Sequence, residues 1–151
     1  MALQWIYLHF DELTAKDLYA AMRLRGEVFV VEQNCPYLDA DNLDLASWHL
    51  FGWEGDHLAA YCRILPPGVA FEQASIGRVV SSPQSRGTGA GRELMQVAIE
   101  KTLAQFTVTQ IKIGAQLYLK AFYESLGFVQ CGEGYLEDNI PHIPMLYQLH
   151  I

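Results

Sequence analysis

Ser82-Pro-Gln-Ser-Arg-Gly-Thr-Gly-Ala-Gly91 joins a short apolar run, residues 76–81, to a long helical pattern, residues 92–106. Three of its residues are glycines at alternate positions, Gly87, Gly89 and Gly91. Glycine has no Cβ atom to keep a ligand away from the backbone, and it permits positive φ angles. The helix that follows starts with free N–H groups at the positive end of its dipole. The sequence therefore predicts a strand, a glycine loop and a helix that together bind a phosphate-like anion.

Length and composition are typical of one globular domain. The chain has 151 residues, of which 51% are hydrophobic and 18% charged, so it can bury a core. Its net charge of −7 suits a neutral or cationic partner and argues against nucleic acid, whose phosphates require a basic surface. No apolar run approaches the ~20 residues needed to cross a bilayer, and residues 1–10 lack the pattern of a secretory signal. We therefore expect a single cytoplasmic domain, residues 1–151, with no membrane partner.

The cysteines and histidines show no spacing that indicates a disulfide framework or a metal site. Cys35, Cys62 and Cys131 are odd in number, widely spaced and without a CxxC pair, as expected for a reducing compartment. The five histidines include no HxxxH or HxH pair, so no metal is expected. Covalent catalysis through Cys35 is not expected either, because the sequence shows no Cys-His-Asn arrangement.

The hydrophobic pattern predicts an α/β chain. Apolar runs and alternation predict strands at residues 4–10, 48–53, 57–65, 76–80, 110–115 and 142–149, and one broken strand over 128–131 and 134–137. Helical spacing predicts helices from Thr14, as the N-cap, to about residue 30, over 92–106 and over 118–126. The strands before and after the second helix should be parallel, because a helix joins them. Three aspartates in the loop after the first helix are interpreted as a solvated surface, with attraction of a cationic substrate as the alternative, namely Asp39, Asp41 and Asp44.

Two nucleotide-binding motifs are alternatives for the glycine loop. A P-loop requires GxxxxGK[ST], and no lysine follows these glycines. A dinucleotide-binding fingerprint requires GxGxxG, whereas the third glycine here comes one position early and the loop lies in the middle of the chain. A glycine-rich turn without any ligand is a third alternative.

Two motifs resemble the Gcn5-related N-acetyltransferase (GNAT) family. Arg86-Gly-Thr-Gly-Ala-Gly91 matches the R/Q-x-x-G-x-G/A motif of that family and follows a strand that ends in Val79-Val80-Ser81. Ala121-Phe-Tyr-Glu-Ser-Leu-Gly-Phe128 is similar to the signature of the family's fourth helix. The two motifs occur in the family's order, about 30 residues apart, so together they are more specific than either one alone.

Other segments resemble the bacterial ElaA-like (YjcF-like) branch of that family. They are Leu24-Arg25, Val28-Phe-Val-Val-Glu-Gln33, Cys35-Pro-Tyr37, Asp41 and His49, with Gly114-Ala-Gln116 and Ile140-Pro-His142 later. The resemblance therefore covers nearly the whole chain. It implies the GNAT fold, an α/β (α+β) arrangement with a central mixed, mostly antiparallel sheet of six or seven strands. About four helices would flank this sheet, which would be splayed between its two central parallel strands.

The resemblance also implies which residues bind acyl-coenzyme A (acyl-CoA). Backbone groups of Val79, Val80 and Ser81 would pair with the acyl and pantetheine amides in the manner of an added strand. A β-bulge near Val80 would splay this strand from its parallel neighbour. Gln116 stands where many relatives carry a cofactor-binding asparagine. N–H groups of the loop would bind the diphosphate, the loop residues being Arg86, Gly87, Thr88, Gly89, Ala90 and Gly91.

Acetyl transfer to an amine requires a base, an oxyanion donor and an acid. An ammonium group of pKa ~10.4 must lose a proton near neutral pH, which costs about 4 to 5 kcal/mol. By resemblance, Tyr123 returns a proton to the departing thiolate, and the backbone N–H of Val80 is the oxyanion donor. Glu32 and His142 border the acceptor cleft in this fold and are the candidate bases, imidazole being the group that ordinarily titrates nearest neutrality. Glu32 could instead bind a cationic amine, and a chain of water molecules could replace either base. Three arginines have two alternative roles: they could pair with carboxylates of the protein, or they could bind an acidic acceptor. They are Arg25, Arg63 and Arg78.

The sequence thus predicts an N-acetyltransferase that moves an acetyl group from acetyl-CoA to a primary amine of a small molecule, by direct attack in a ternary complex. A CoA-binding sensor without turnover is the alternative, because Tyr123 also fits the apolar stripe of its helix as an ordinary core residue. A nucleotide-binding protein is a second alternative. The sequence leaves open whether the chain also pairs with a second copy of itself as a homodimer.

Overall fold

Two four-stranded sheets make up most of the computed structural model, which describes residues 2–150. The first sheet has the antiparallel order β1-β2-β3-β4, with β1 at Gln4–His9, β2 at Trp48–Glu54, β3 at His57–Leu65 and β4 at Ser75–Ser81. A tight turn joins β2 to β3, and Gly55 supplies the positive φ angle (+59°) that this turn requires. The strand bounds agree with the predicted ones to within a residue at each end.

The second sheet is built around the last strand, β8, at Ile140–Gln148. It pairs antiparallel with β5 at Gln110–Gln116, and along its other edge with β6 at Phe128–Gln130 and β7 at Tyr135–Glu137. The single broken strand predicted for this region is therefore two strands. Four residues between them, 131–134, stand opposite only two residues of β8, and one of those two is Pro144, which has no N–H to donate. The described chain thus has eight strands in place of the expected six or seven.

Within residues 2–150, three α-helices flank the sheets. α1 (Ala15–Arg25) is capped by Thr14, whose hydroxyl accepts from the N–H of Asp17 while its own N–H donates to the Asp17 carboxylate; this confirms the predicted N-cap. It continues directly into a π-helical segment at Gly26–Glu32, two residues beyond the predicted end. α2 (Ala90–Phe106) joins β4 to β5, and α3 (Lys120–Glu124) follows a 3₁₀ turn at Leu117–Leu119. None of the helices in the described part of the chain is both long enough and apolar enough to span a membrane.

The neighbouring strands β4 and β5 run parallel and then diverge. They meet at one isolated parallel bridge, Ala74 to Ile111, beyond which the described parts of the two strands are unpaired with each other. In β4, Arg78 and Val79 stand opposite a single residue of β3, and Arg78 has a positive φ angle of +49°. This is a β-bulge, which bends the strand away from its neighbour. The predicted bulge near Val80 and the predicted splay between two parallel strands are both confirmed.

The core lies on both faces of the first sheet. Neighbouring residues of a strand point to opposite faces, so Leu50 packs in the cluster beneath α2 and Phe51 packs in the cluster beneath α1. Both side chains are fully buried. Residues 58–65 of β3 are all buried for the same reason, which explains their nearly continuous apolar sequence.

The loop between the π-helical segment and β2 is not the solvated acidic surface expected from the sequence. Its three aspartates form ion pairs with the guanidinium groups of three arginines. The arginines come from the end of α1, from β3 and from the β4 bulge, whereas the aspartates all come from the loop. The pairs are Arg25 with Asp39 and Asp44 (2.8 Å each), Arg63 with Asp41 (2.7 Å) and Asp44 (3.0 Å), and Arg78 with Asp39 (2.8 Å) and Asp41 (3.2 Å).

Burial explains why this network forms. Arg25 has no exposed surface and Asp44 is only 5% exposed, and charges in such places need partners. Burial opposes ionisation of Asp44, but the hydrogen bonds and charges of Arg25 and Arg63 outweigh it and lower its pKa. Burial also opposes ionisation of Asp41, yet its hydrogen bonds and charge interaction with Arg63 lower its pKa to about 2. Three arginines balance three aspartates, so the loop is fixed to the sheet and the network as a whole carries no net charge.

Candidate active site

A cleft of about 950 Å³ opens where β4 and β5 diverge. Its walls come from β4, the glycine loop, β5, α3, the π-helical segment and the turn between β7 and β8. The loop residues Gly87, Thr88, Gly89 and Ala90 are not part of its wall. The predicted site residues that line it are Glu32, Val79, Val80, Ser81, Arg86, Gly91, Gln116, Tyr123 and His142.

β4 presents an open backbone edge to the cleft. Its other edge pairs with β3, while β5 leaves it after the bridge at Ala74. Val79, Val80 and Ser81 lie on the open stretch. A free strand edge offers N–H and C=O groups to an extended ligand that carries amides. The arm of acyl-CoA is a ligand of that kind.

Hydrogen bonds fix the start of the glycine loop, just after β4, to the neighbouring strand β3. The N–H of Ser82 donates to the carbonyl oxygen of Ala59 at 2.8 Å, and its hydroxyl accepts from the N–H of Gln84 at 3.3 Å. Ser82 thereby caps a 3₁₀ turn over Pro83–Ser85. The hydroxyl of Thr88 donates to the carbonyl oxygen of Ser85 at 2.5 Å, so the loop has a defined shape.

The glycines of the loop are not required by packing. A Cβ atom added at Gly87, Gly89 or Gly91 would meet nothing within 4 Å. The first two adopt φ angles of +79° and +85°, which side chains with a Cβ rarely allow. Gly91 lies in the first turn of α2 without such an angle, although glycine costs a helix about 1 kcal/mol relative to alanine. The fold gives no reason for glycine at position 91, whereas an anion lying close against the helix start favours a very small residue, in agreement with the glycine or alanine of the family motif. These residues therefore fit the diphosphate of acyl-CoA.

Tyr123 belongs both to the core and to the cleft wall. It is 5% exposed and packs edge-on against Phe122 and Phe128. Burial raises the pKa of its hydroxyl, with smaller contributions from Cys62 and Tyr118. Burial also raises the pKa of the Cys62 thiol in the same cluster. This part of the protein therefore disfavours phenolate and thiolate alike.

His142 lies on β8, opposite Gln116 of β5 and Tyr135 of β7. It is 7% exposed, and the Tyr135 ring stacks on it with 5.7 Å between ring centroids. Its Nδ1 atom is 2.7 Å from the carbonyl oxygen of Ile140, so the neutral ring carries its proton on Nδ1 and leaves a lone pair on Nε2. The Glu137 carboxylate lies 3.5 Å from Nε2, where it would balance the charge of an imidazolium. This is an arrangement suited to a base.

Glu32, the other candidate base, is engaged by the glycine loop. Arg86 donates from Nη1 and Nη2 to its two carboxylate oxygens, at 2.9 and 2.5 Å. These hydrogen bonds lower the pKa of Glu32, so it binds a proton less readily than an ordinary glutamate does. The next residue, Gln33, contacts the Gln116 side-chain amide at 3.4 Å. The predicted Gln116 thus lies in the cleft with a partner from the first helical stretch.

Three residues of the site were not predicted from the sequence, namely Gln33, Tyr135 and Glu137. A Cβ atom at Gly114 would collide with the Tyr135 hydroxyl, so a glycine in the middle of β5 was a signal that another group lies against that strand. Gln33 and Glu137 gave no comparable signal, because isolated polar residues are common on any surface.

Cys35 also lines the cleft, and its thiol donates a hydrogen bond to the carbonyl oxygen of Asp138 at 3.1 Å. Across the described residues, no group of three or more His, Cys, Asp or Glu side chains is placed to hold a metal ion.

Comparisons with known proteins agree with this geometry. A family model described as an acetyltransferase (GNAT) domain matches residues 46–149. Protein ElaA of Escherichia coli K12 is 44% identical over 145 residues, which cover 95% of each chain. The crystal structure of Escherichia coli ElaA has a TM-score of 0.90 at 42% identity, over 97% of this chain and 99% of that one. The crystal structure of an acyl-CoA N-acyltransferase from Pseudomonas aeruginosa has a TM-score of 0.92 at 46% identity, also over 97% of this chain and 99% of that one.

The family model spans more than half of the chain, and these relatives align along nearly all of it. The chain therefore belongs to the GNAT family of acyl-CoA-dependent N-acyltransferases, in its ElaA-like branch.

Proposed function

We propose that this protein transfers an acetyl group from acetyl-CoA to the primary amine of a small molecule, by direct attack in a ternary complex. The observation that carries the proposal is one shared cleft, which is lined by the open edge of β4, by Arg86 and Gly91 of the glycine loop, by Tyr123 and by His142. A donor on β4 and an acceptor beside His142 would meet in that space. Membership of the GNAT family supports the acyl-CoA chemistry.

On this proposal the donor lies along β4. The backbone of Val79, Val80 and Ser81 pairs with its arm, and the amide of Gln116 adds a contact from β5. The N–H of Val80 stabilises the negative charge that develops on the thioester oxygen. The diphosphate binds the loop residues, namely Arg86, Gly87, Thr88, Gly89, Ala90 and Gly91.

Of the two candidate bases we favour His142. Glu32 accepts two hydrogen bonds from Arg86, which lower its pKa and make it the weaker base. His142 has a lone pair on Nε2 and a carboxylate, that of Glu137, 3.5 Å from the same atom. A positioned base of this kind contributes about 10²- to 10⁴-fold to the rate.

In the transfer step, the amine nitrogen forms a bond to the thioester carbon and the carbon–sulfur bond breaks. Nε2 of His142 takes a proton from the ammonium group of the acceptor before the attack, and the electron pair of the broken bond leaves with sulfur. The second proton, which the nitrogen loses as the amide forms, replaces the one that Tyr123 gives up. Tyr123 gives its hydroxyl proton to that thiolate. In water this last transfer is uphill by about 2 kcal/mol. Burial raises the pKa of Tyr123 and also that of the nearby Cys62 thiol, so the site disfavours the phenolate and a thiolate alike.

The shape and charge of the cleft favour a small, cationic acceptor. Its volume of about 950 Å³ must also hold the arm of the donor. The loop aspartates do not attract a cation, because arginines neutralise them. Glu137 is exposed over 58% of its side chain, and its one ionic contact with the described residues is to His142. Its charge is therefore available to an ammonium group.

The proposal is tested by incubating the protein with acetyl-CoA and a panel of primary amines, some with a second cationic group and some with a carboxylate. Free thiol is measured by a colour reagent, and the acetylated amine is measured by mass spectrometry. We expect thiol release that depends on the amine and equals the acetylamine formed. Equal thiol release with and without every amine, and no acetylamine, would show hydrolysis and contradict the proposal.

A further inference from the structure

The end of the first helical stretch reaches two side chains that we assign to the donor. Glu32 accepts two hydrogen bonds from Arg86 of the glycine loop, at 2.9 and 2.5 Å. Gln33, the next residue, contacts Gln116 at the end of β5, at 3.4 Å. These contacts join residues that are 54 and 83 positions apart in the chain, so they are tertiary contacts across the cleft.

The carboxylate of Glu32 and a diphosphate require the same atoms of Arg86. The two Nη atoms form a fork that a carboxylate or a phosphate occupies in the same way. One guanidinium group cannot present this fork to both anions at once. The diphosphate carries the greater negative charge, and on the proposed function it also lies near the start of α2, where the helix dipole attracts it.

The ion pair is placed so that it can open without disturbing the core. The side chain of Arg86 is 46% exposed and that of Glu32 is 41% exposed. Exposed ion pairs are weak, because solvent screens them and because long side chains lose conformational freedom in them. By contrast, Asp41, another acid in the cleft wall, is partly buried and is held by two arginines, Arg63 and Arg78. A donor that binds Arg86 would therefore take this partner away from Glu32 and leave the Glu32 carboxylate unpaired.

We propose that acyl-CoA and Glu32 compete for Arg86, so that donor binding releases the Glu32 carboxylate into the cleft, where it binds the ammonium group of the acceptor. The inference rests on the proposed function, because it takes Arg86 as a ligand of the diphosphate. Release gives the cleft an additional free carboxylate only when the donor is in place. The cationic acceptor therefore binds best to the protein–donor complex.

The inference predicts opposite effects of one substitution on the two substrates. Glu32→Gln removes the competitor for Arg86, so CoA should bind several-fold more tightly. Pantetheine, which has the thiol arm but no diphosphate, should bind as it does to the unsubstituted protein. The KM of a cationic amine identified in the panel should rise several-fold, because the carboxylate that binds it is gone.

The binding constants are measured by calorimetry at low salt, with Glu27→Gln as the matched control. Glu27 is an exposed acid on the same segment whose charge also acts on Arg86, but its side chain does not pair with it. Glu27→Gln should therefore change CoA affinity much less than Glu32→Gln does. In an Arg86→Gln background CoA should bind more weakly, and Glu32→Gln should have no further effect on it.

Unchanged or weaker CoA binding by Glu32→Gln would overturn the competition, because the carboxylate would then be neutral or would position Arg86 for the donor. A tighter complex with pantetheine as well would also overturn it. An unchanged KM for the cationic amine would overturn the release of Glu32 to the acceptor. Failure of the unsubstituted protein to bind CoA would instead overturn the proposed function, and this inference with it.

Discussion

Tyr123 is a residue whose packing was predictable from the sequence and whose chemistry was not. Its position on the apolar stripe of its helix predicts burial, and the structure places it in the core at 5% exposure. Helical spacing says nothing about where the hydroxyl ends. In the structure that side chain also lines the cleft, which β4 and β5 form by diverging. The resemblance to the family motif was therefore the one signal for its proposed role as an acid.

Tyr123→Phe separates the proposed role of Tyr123 as an acid from its role in packing the core. The ring packing against Phe122 and Phe128 is kept, so stability and acetyl-CoA affinity should change little. Turnover should fall about 10²-fold, as expected for the loss of a general acid. Steady-state kinetics and calorimetry measure the two effects. Unchanged turnover would remove Tyr123 from the mechanism.

His142→Gln tests the proposed base through pH. An acceptor ammonium of pKa ~10.4 is almost fully protonated near pH 7, so loss of the base should reduce turnover by about 10²-fold there. The defect should shrink as pH rises toward 9.5, because a growing fraction of the amine is already deprotonated. Turnover is measured from pH 6.5 to 9.5 at saturating donor. A defect of constant size over this range would contradict the assignment.

The acidic loop is an element that the sequence did not predict correctly. Three aspartates in a loop usually indicate a solvated surface, and their partners lie at distant positions in α1, β3 and the β4 bulge. These arginines become neighbours only when the sheet has formed. The π-helical segment was also missed, because the apolar spacing that predicts a helix there does not distinguish a π-helix from an α-helix. The break between β6 and β7 was predicted, although as an interruption of one strand.

Asp41→Asn tests the contribution of this loop to stability. The pKa of Asp41 is lowered to about 2, so its stabilisation is present above the ordinary value near 4 and is lost as pH falls toward 2. With allowance for solvent screening of this partly exposed carboxylate, the variant should be less stable by about 1 to 2 kcal/mol at pH 7. The difference should nearly vanish at pH 2. Urea unfolding at pH 7, 4 and 2 measures it, and a difference independent of pH would contradict the account.

Gly91→Ala tests the start of α2 as the place where the donor lies close to the backbone. Alanine favours a helix and meets no neighbour within 4 Å, so the variant should be more stable by about 0.5 to 1 kcal/mol. Its affinity for CoA should nevertheless fall slightly, because the methyl group lies beside the diphosphate, although alanine is the other residue that the family motif allows at this position.

Gly26→Ala is the matched control for that substitution. Gly26 lies in the helical stretch with a φ angle of −63° and has no neighbour within 4 Å of an added Cβ atom, but it is not in the cleft wall. It should gain similar stability and keep its affinity for CoA. Equal CoA affinity of Gly91→Ala and Gly26→Ala would show that the donor does not approach Gly91.

At the scale of the whole molecule, local pattern and family resemblance predicted the order of elements and the α/β class. The bounds of β1 to β4 agree to within a residue, because each strand alternates or is apolar throughout and ends at a clear turn. The splay between β4 and β5 was also confirmed, through the bulge at Arg78. Contacts across the cleft, such as Glu32 with Arg86, could not be predicted, since they join elements that are remote in sequence.

Binding of acetyl-CoA in this cleft is the central claim, and a thermal unfolding titration tests it most directly. A donor that contacts β4, the glycine loop and β5 binds the folded state alone, and at 100 times its Kd it adds about 2.7 kcal/mol of stability. For a chain of this size the Tm should therefore rise by about 5 to 10 °C. ATP and NAD, at the same concentration, should raise it much less. A rise with ATP or NAD and none with acetyl-CoA would contradict the account.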